Sequence, residues 1–274
     1  MQKSSTMRRT ASKIFKGRQL TIGMDLGDRW SFYCILDESG KVILEAKVAT
    51  TPEAIKQTFA KIPLSRLAME TGTHSPWVSR LVTQLGHEVI VAHAQKVDLI
   101  TKSTRKDDRH DAKTLARLAR IDPELLSPVQ HRSAQAQLHL TEIRARAGLV
   151  SARTALINAA RGLAKSYGER LRKCGTFQVS RESGSELSTG LREALKPLLQ
   201  EVESLNERIQ EYDRRIEKMA KERYPEVELL KQVKGVGDVI ATTYVLTIED
   251  PHRFRKSRDA GCFVGLQPGR RNAW

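Results

Sequence analysis

The chain has 274 residues with 47 Lys and Arg against 32 Asp and Glu, a formal net charge of +15. That surplus, on a length that makes one large domain or two small ones, favours a polyanionic partner, nucleic acid before an anionic membrane surface. No stretch reaches the ~18 consecutive apolar residues of a membrane-crossing helix. Cys34, Cys174 and Cys262 are too scattered for a disulfide framework or a cysteine zinc site. A cytoplasmic nucleic-acid-binding protein is therefore expected. With aromatics at 5%, stacking on single strands is not its expected main binding mode.

Residues 1–18 carry six Lys or Arg and no acid. They read as a basic arm along phosphates, with a solvated tail and an organelle transit peptide as the other readings. From Gln19 the pattern alternates. Leu20–Met24 is a buried strand ending at Asp25, Trp30–Leu36 a second, and Lys41–Val48 a third after a Glu38-Ser39-Gly40 turn. Thr51 caps a helix that Pro52 opens. Leu64–Met69 is a fourth strand ending at Glu70, Ser75–Leu85 a helix stopped by Gly86, and Glu88–Ala92 a fifth strand. The strand ending at Asp25 and the one ending at Glu70 are expected side by side, in an α/β layered domain over 19–122 with a mixed sheet.

Pro123–Pro128 reads as a linker, and beyond it strands cease. Ser133–Arg172 is helical, with Leu138, Ala145, Leu149, Ala152, Leu156, Ala159 and Leu163 as its seam. After a loop over 173–190, the positions Leu191, Leu195, Leu198, Val202, Leu205, Ile209, Tyr212, Ile216 and Met219 step 4-3-4-3. That regularity signals a coiled coil, and Pro197 marks a possible start of the continuous helix. An antiparallel helical arm over 132–224 is expected, with a dimer seam as a further use. Arg132–Lys173 holds nine Lys or Arg and two acids, whereas Leu191–Tyr224 holds eight of each. The first helix is accordingly the expected phosphate-facing one, through Arg144, Arg146, Arg153 and Arg161.

Acids at element ends are the chemical signal. Asp25 and Glu70 follow apolar strands, and Asp108 and Asp111 lie three apart in the helix that Arg105–Ala112 opens. Four convergent carboxylates cannot all ionise uncompensated, and a pair of hard divalent cations can compensate them while clamping a phosphodiester. Lys102, Arg105, Lys106 and Arg109 would draw the nucleic-acid backbone there. His74 and His93 are expected in loops or at the surface, and His110, facing away from Asp108 and Asp111, against phosphate rather than metal, with no zinc spacing present.

Gly23-Met24-Asp25-Leu26-Gly27, Met69-Glu70-Thr71-Gly72 and Asp108-Arg109-His110-Asp111-Ala112-Lys113 together resemble the DEDD-type insertion-sequence transposases. The resemblance implies a ribonuclease-H-like (RuvC-like) domain whose Asp25, Glu70, Asp108 and Asp111 are catalytic and hold two Mg2+ ions. Asp107 is the rival of Asp108, which the Asp-x-x-Asp-Ala spacing favours. The resemblance further implies double-stranded DNA and a structured bridge (guide) RNA as partners and an all-α C-terminal transposase domain over 226–274, while the heptads themselves suggest a homo-oligomer through the coiled coil. In that domain Leu229–Ala241 reads as a helix-hairpin-helix whose Lys234, Gly235 and Gly237 hold a phosphate, with a plain helical turn as the other reading. Gly261–Pro268 also matches the family pattern. Members continue into a Ser-Gly pair regarded as the strand-exchange nucleophile, and no serine follows Ser257 here. The expectation is a C-terminally incomplete domain that binds metal and nucleic acid without completing recombination. A non-catalytic nucleic-acid-binding regulator, a Holliday-junction resolvase and an actin-like ATP-dependent kinase are the remaining readings.

Overall fold

Five short runs rich in β-branched and apolar residues form one sheet: β1 (Thr21–Asp25), β2 (Trp30–Leu36), β3 (Val42–Ala49), β4 (Arg66–Glu70) and β5 (Glu88–Ala92). Their order is β3-β2-β1-β4-β5. The first three strands are antiparallel, whereas β4 and β5 run parallel to β1. The computed structural model describes residues 19–94 and 108–266 and divides into two units, Met1–His131 and Arg132–Trp274. The basic arm, Lys102, Arg105, Lys106, Asp107 and the stretch from Gln267 onward lie outside the described residues, as does the side chain of Asp108.

Local chemistry fixes the connections. In the β2–β3 turn the Asp37 carboxylate accepts from the backbone N–H of Ser39 and Lys41, and Gly40 takes φ +84°. Helix α1 (Pro52–Phe59) is capped by the Thr51 hydroxyl, which accepts from Ala54 N, with Pro52 in its first turn. Helix α2 (Ser75–Gln84) ends before Gly86 at φ +93°. Ile55, Phe59, Val78 and Val82 of these helices pack on Ile22, Met24, Tyr33, Ile35, Leu67 and Met69 of one sheet face. Each fully buried side chain of this size contributes about 1.5–3 kcal/mol. The other face is covered by α3 (Asp108–Ile121) through Ala112, Leu115, Ala116 and Ala119.

The 123–128 stretch is not a linker. It forms a 3-10 turn over Pro123–Leu126 capped by Asp122, with Leu126 fully buried in the α3 core. The chain then runs along β5, where His93 N bonds Leu126 O and Val129 N bonds Val91 O.

The second unit is built on α4 (Ala134–Ser166) and α5 (Thr189–Arg223), two long helices packed antiparallel. Leu140 meets Met219 near one end, Ile157 meets Val202 further along, and Ala164 meets Leu195 at the other end. The α5 stripe matches its sequence spacing. The α4 stripe does not: Ala136, Leu140, Ile143, Ile157, Ala160 and Ala164 are buried, while Leu138 and Leu163 are 61% and 50% exposed. Pro197 lies inside α5 rather than at its start. Leu195, buried against Ala164 and Leu187, holds the preceding turns in place despite the missing proline N–H. Short helices α6 (Glu226–Leu230), α7 (Asp238–Ile248) and α8 (Ser257–Phe263) follow.

Candidate metal and nucleic-acid site

Parallel pairing sets Thr21 beside Arg66 and Met24 beside Met69, so Asp25 and Glu70 end neighbouring strands at the same level. Strands sit ~4.8 Å apart in that direction. Side chains alternate between faces, so Asp25 shares a face with Gly23, and Glu70 with Ala68. This is the face under α3. The helix backbone passes so close to Gly23 that a β-carbon there would lie 1.9 Å from Ala112 O and 2.4 Å from Ala116 N. Further along, Ala119 O accepts from Arg66 Nη1 at 3.1 Å, beside the start of β4. The helix therefore runs opposite to β1 and β4, and its first turn lies over the edge where those strands end.

Positions 108, 111, 112 and 115 share one side of α3. Ala112 and Leu115 bury that side against the sheet, which places positions 108 and 111 over the Asp25 and Glu70 edge. Asp25, Glu70 and Asp111 are all half-buried. Like charges thus gather where a helix N-terminus favours negative charge. Among the described residues no three His, Cys, Asp or Glu side chains stand close enough to share a metal ion. The donors gathered at this edge are nevertheless all carboxylates, the hard-oxygen chemistry of Mg2+ rather than of zinc.

His110 and His74 are partnered, whereas His93 Nδ1 is buried without a hydrogen-bond partner among the described residues. His110 Nδ1 pairs with the Thr114 hydroxyl at 3.1 Å. His74 stands just before α2, accepts from Trp77 Nε1 at 3.1 Å, and sets its Nε2 3.6 Å from Asp28, so it joins the loops that follow β1 and β4.

The expected phosphate contacts divide. Arg109 and Arg144 are exposed and Arg161 is half-buried. Arg146 pairs with Asp213 across the two long helices. Arg153 is a correction: it is 5% exposed, donates to Asn206 Oδ1 at 2.9 Å and lies 4.3 Å from the Phe177 ring centre. It holds the α4–α5 loop onto both helices and cannot reach a phosphate. Burial also lowers its pKa. Lys234, Gly235 and Gly237 are exposed in the turn between α6 and α7, where Gly235 takes φ +91°.

Sequence reasoning missed the residues across the sheet from Asp25. Phe32 is its partner on β2, and Lys47 is the partner of Phe32 on β3. The hairpin register and the two-residue alternation of side chains carry that information. The role of Gly23 was equally readable, since a glycine inside a buried strand marks a close backbone approach.

A mixed five-stranded sheet with helices on both faces and acids gathered at one edge is consistent with a ribonuclease-H-like transposase domain. The family model for the DEDD transposases of the IS110 kind, described as transposase, matches residues 22–169. A second model, described as transposase of the IS116/IS110/IS902 family, matches residues 227–273. The chain belongs to the IS110 family of transposases. It is 28% identical to the transposase for insertion sequence element IS1111A of Coxiella burnetii, over 96% of this chain and 74% of that protein. It is 26% identical to the transposase for insertion sequence element IS1328 of Yersinia enterocolitica, over 90% of this chain and 73% of that protein. Identity to a probable family 20 transposase of Pseudomonas aeruginosa is 28%, over 78% and 64% of the two chains. The chain thus spans between 64% and 74% of the length of these relatives. No helix among the described residues is long and apolar enough to cross a membrane.

Proposed function

We propose that this chain acts in the transposition of an insertion sequence, with metal-dependent phosphodiester chemistry on double-stranded DNA carried by Asp25, Glu70, Asp108 and Asp111. One observation carries the reading: β1 and β4 end in register with an acid each, under the first turn of a helix that supplies two more acid positions. Two Mg2+ ions bound by these carboxylates would supply Lewis-acid stabilisation of the attacking and leaving oxygens. The protein's own contribution is to hold like charges at one strand edge, favoured by the helix N-terminus, and to present Arg109 to the backbone of the DNA. The close approach at Gly23 fixes the helix on the sheet, and with it the spacing between the strand acids and the helix acids.

Family membership supports a structured guide RNA as the second nucleic-acid partner. The antiparallel α4–α5 pair serves in this reading as a coiled-coil arm through which copies of the chain associate. The exposed Lys234–Gly237 turn serves as the phosphate clamp of a helix-hairpin-helix, supported by the positive φ of Gly235. The test is cleavage of insertion-sequence end DNA by the purified chain with its guide RNA in Mg2+. Cleavage is expected to stop on chelation and to fall about 10³-fold in Asp25→Ala and Glu70→Ala, several kcal/mol of transition-state stabilisation. Cleavage retained by both variants would overturn the assignment.

A further inference from the structure

Lys47, Phe32 and Asp25 are successive partners across β3, β2 and β1, and they share the sheet face that α3 covers. Beside them is a groove of about 330 Å³ lined by Phe32, Glu45, Ala46, Lys47 and Arg109. Glu45 stands 3.9 Å from Lys113 Nζ, so its charge is offset from within the protein. Lys47 and Arg109 place two cations along the groove. Trp30, two residues before Phe32 and on the same face, is 50% exposed, with Lys47 Nζ 4.8 Å from its ring centre. Two aromatic rings and two cations thus form a row that leads to the edge carrying Asp25.

The geometry points to this groove as the seat of an unpaired DNA nucleotide next to the phosphodiester presented to the carboxylates. Flat apolar rings alternating with cations suit stacked bases and their phosphates, and the pairing is insensitive to sequence. A groove of this size, at the lower end of the ~300–1,000 Å³ range of ligand sites, admits one unstacked nucleotide and not a duplex. A base still paired in a duplex cannot lie against Phe32. The low aromatic content of the whole chain is compatible with this role, since the platform needs only two rings. The inference rests on the proposed nuclease role of the neighbouring edge, which supplies the reason for DNA as the strand bound.

The experiment measures binding of a short labelled single-stranded DNA, the same sequence as duplex, and the matching RNA to the full chain in a chelator, so that metal chemistry plays no part. Lys47→Ala and Phe32→Leu, which keeps apolar volume but removes the ring, are each expected to weaken single-strand binding roughly 10-fold, the loss of one stacked base or its phosphate contact. Duplex binding is expected to change less than about twofold, because a paired base cannot lie against Phe32. A photoreactive 5-bromodeoxyuridine in the single strand is expected to crosslink to Trp30 or Phe32. Unchanged single-strand affinity in both variants, equal losses for duplex and single strand, tighter binding of RNA than DNA, or crosslinks confined to other peptides would each overturn the inference. Should the wild type cleave DNA and Asp25→Ala abolish it while the groove variants bind normally, the nuclease reading survives and only the groove falls. Crosslinking at Trp30 or Phe32 without cleavage in any divalent metal would separate them the other way.

Discussion

The two edges of the first unit's sheet hold charged residues on opposite principles. Where β1 and β4 begin, a cleft of about 460 Å³ is lined by Glu38, Arg66, Glu88 and Arg120 among others. There Arg66 Nε donates to the Glu88 carboxylate at 3.0 Å, an ion pair, while Arg120 Nη1 donates to the backbone carbonyl of Glu38 at 3.4 Å. Where the same strands end, the groove is smaller but like charges collect: Asp25, Glu70 and Asp111 on one side, Lys47 and Arg109 on the other. Arg66 and Glu88 offset one another at the first end, whereas the second groups residues of like charge. Cavity size does not locate the site here; strand direction does, because parallel strands bring their carboxyl ends to one edge.

Mutation can break this contrast directly. The largest effect is the roughly 10³-fold loss of cleavage in Asp25→Ala. Next is Gly23→Ala, which forces a β-carbon into the α3 backbone. We expect destabilisation of about 3 kcal/mol in denaturant unfolding, at the upper end for overpacking, because backbone cannot rotate away as a side chain can. Cleavage should fall with it, as α3 carries two of the four acids. A stable Gly23→Ala protein with normal cleavage would show that helix placement does not set the site.

The second unit offers a control of a different kind. Arg153→Ala leaves Asn206 Oδ1 buried without its donor and should lower stability by about 1–3 kcal/mol. His139 gives the unit a pH response. Its Nδ1 pairs with the Tyr224 hydroxyl. Burial first, then Arg223, lower its pKa below the ordinary 6.5, against a smaller opposing pull from Glu142. Folding then favours the neutral ring. The contribution is fully present above pH 6.5 and is lost as the pH falls through that value toward the lower folded one. Thermal unfolding of the chain between pH 7.5 and 5 should therefore show a decline that is flatter in His139→Gln.

The strands, the Thr51-Pro52 cap and the β1–β4 adjacency were legible in the sequence because period, capping and turn chemistry are local. The α5 stripe was legible too, since leucine and isoleucine mark nearly every inward position. On α4 the same habit misled. Its leucines at 138 and 163 face outward, and the buried positions are mostly alanine and isoleucine, interrupted by His139 and Arg153. A stripe of small residues holding two polar ones carries little hydrophobic signal, and only the partner helix reveals it. Arg153 illustrates the limit for function: a count of basic residues favours phosphate contact, but a guanidinium stacked on Phe177 and bonded to Asn206 is structural. The order of the acids was legible, whereas the Phe32–Lys47 row is not local, because it exists only once hairpin register sets three strands side by side.

The smallest expected effect is the sharpest test of the contrast between the edges. Glu88→Gln removes a partner of Arg66, yet the two side chains are 60% and 33% exposed, so the pair is largely screened by water. Arg66 keeps its bond to Ala119 O, which holds the far end of α3 against β4. Stability should change by no more than about 1 kcal/mol, with cleavage unaltered, because exposed ion pairs contribute little. Arg66→Ala removes both contacts at once and so probes the helix itself. If Arg66→Ala lowered cleavage more than tenfold while Glu88→Gln did not, the far anchor of α3 would be setting the position of Asp108 and Asp111, and the two edges would be one mechanical unit. If neither moved it, the close approach at Gly23 alone would be sufficient to seat the helix over the acids.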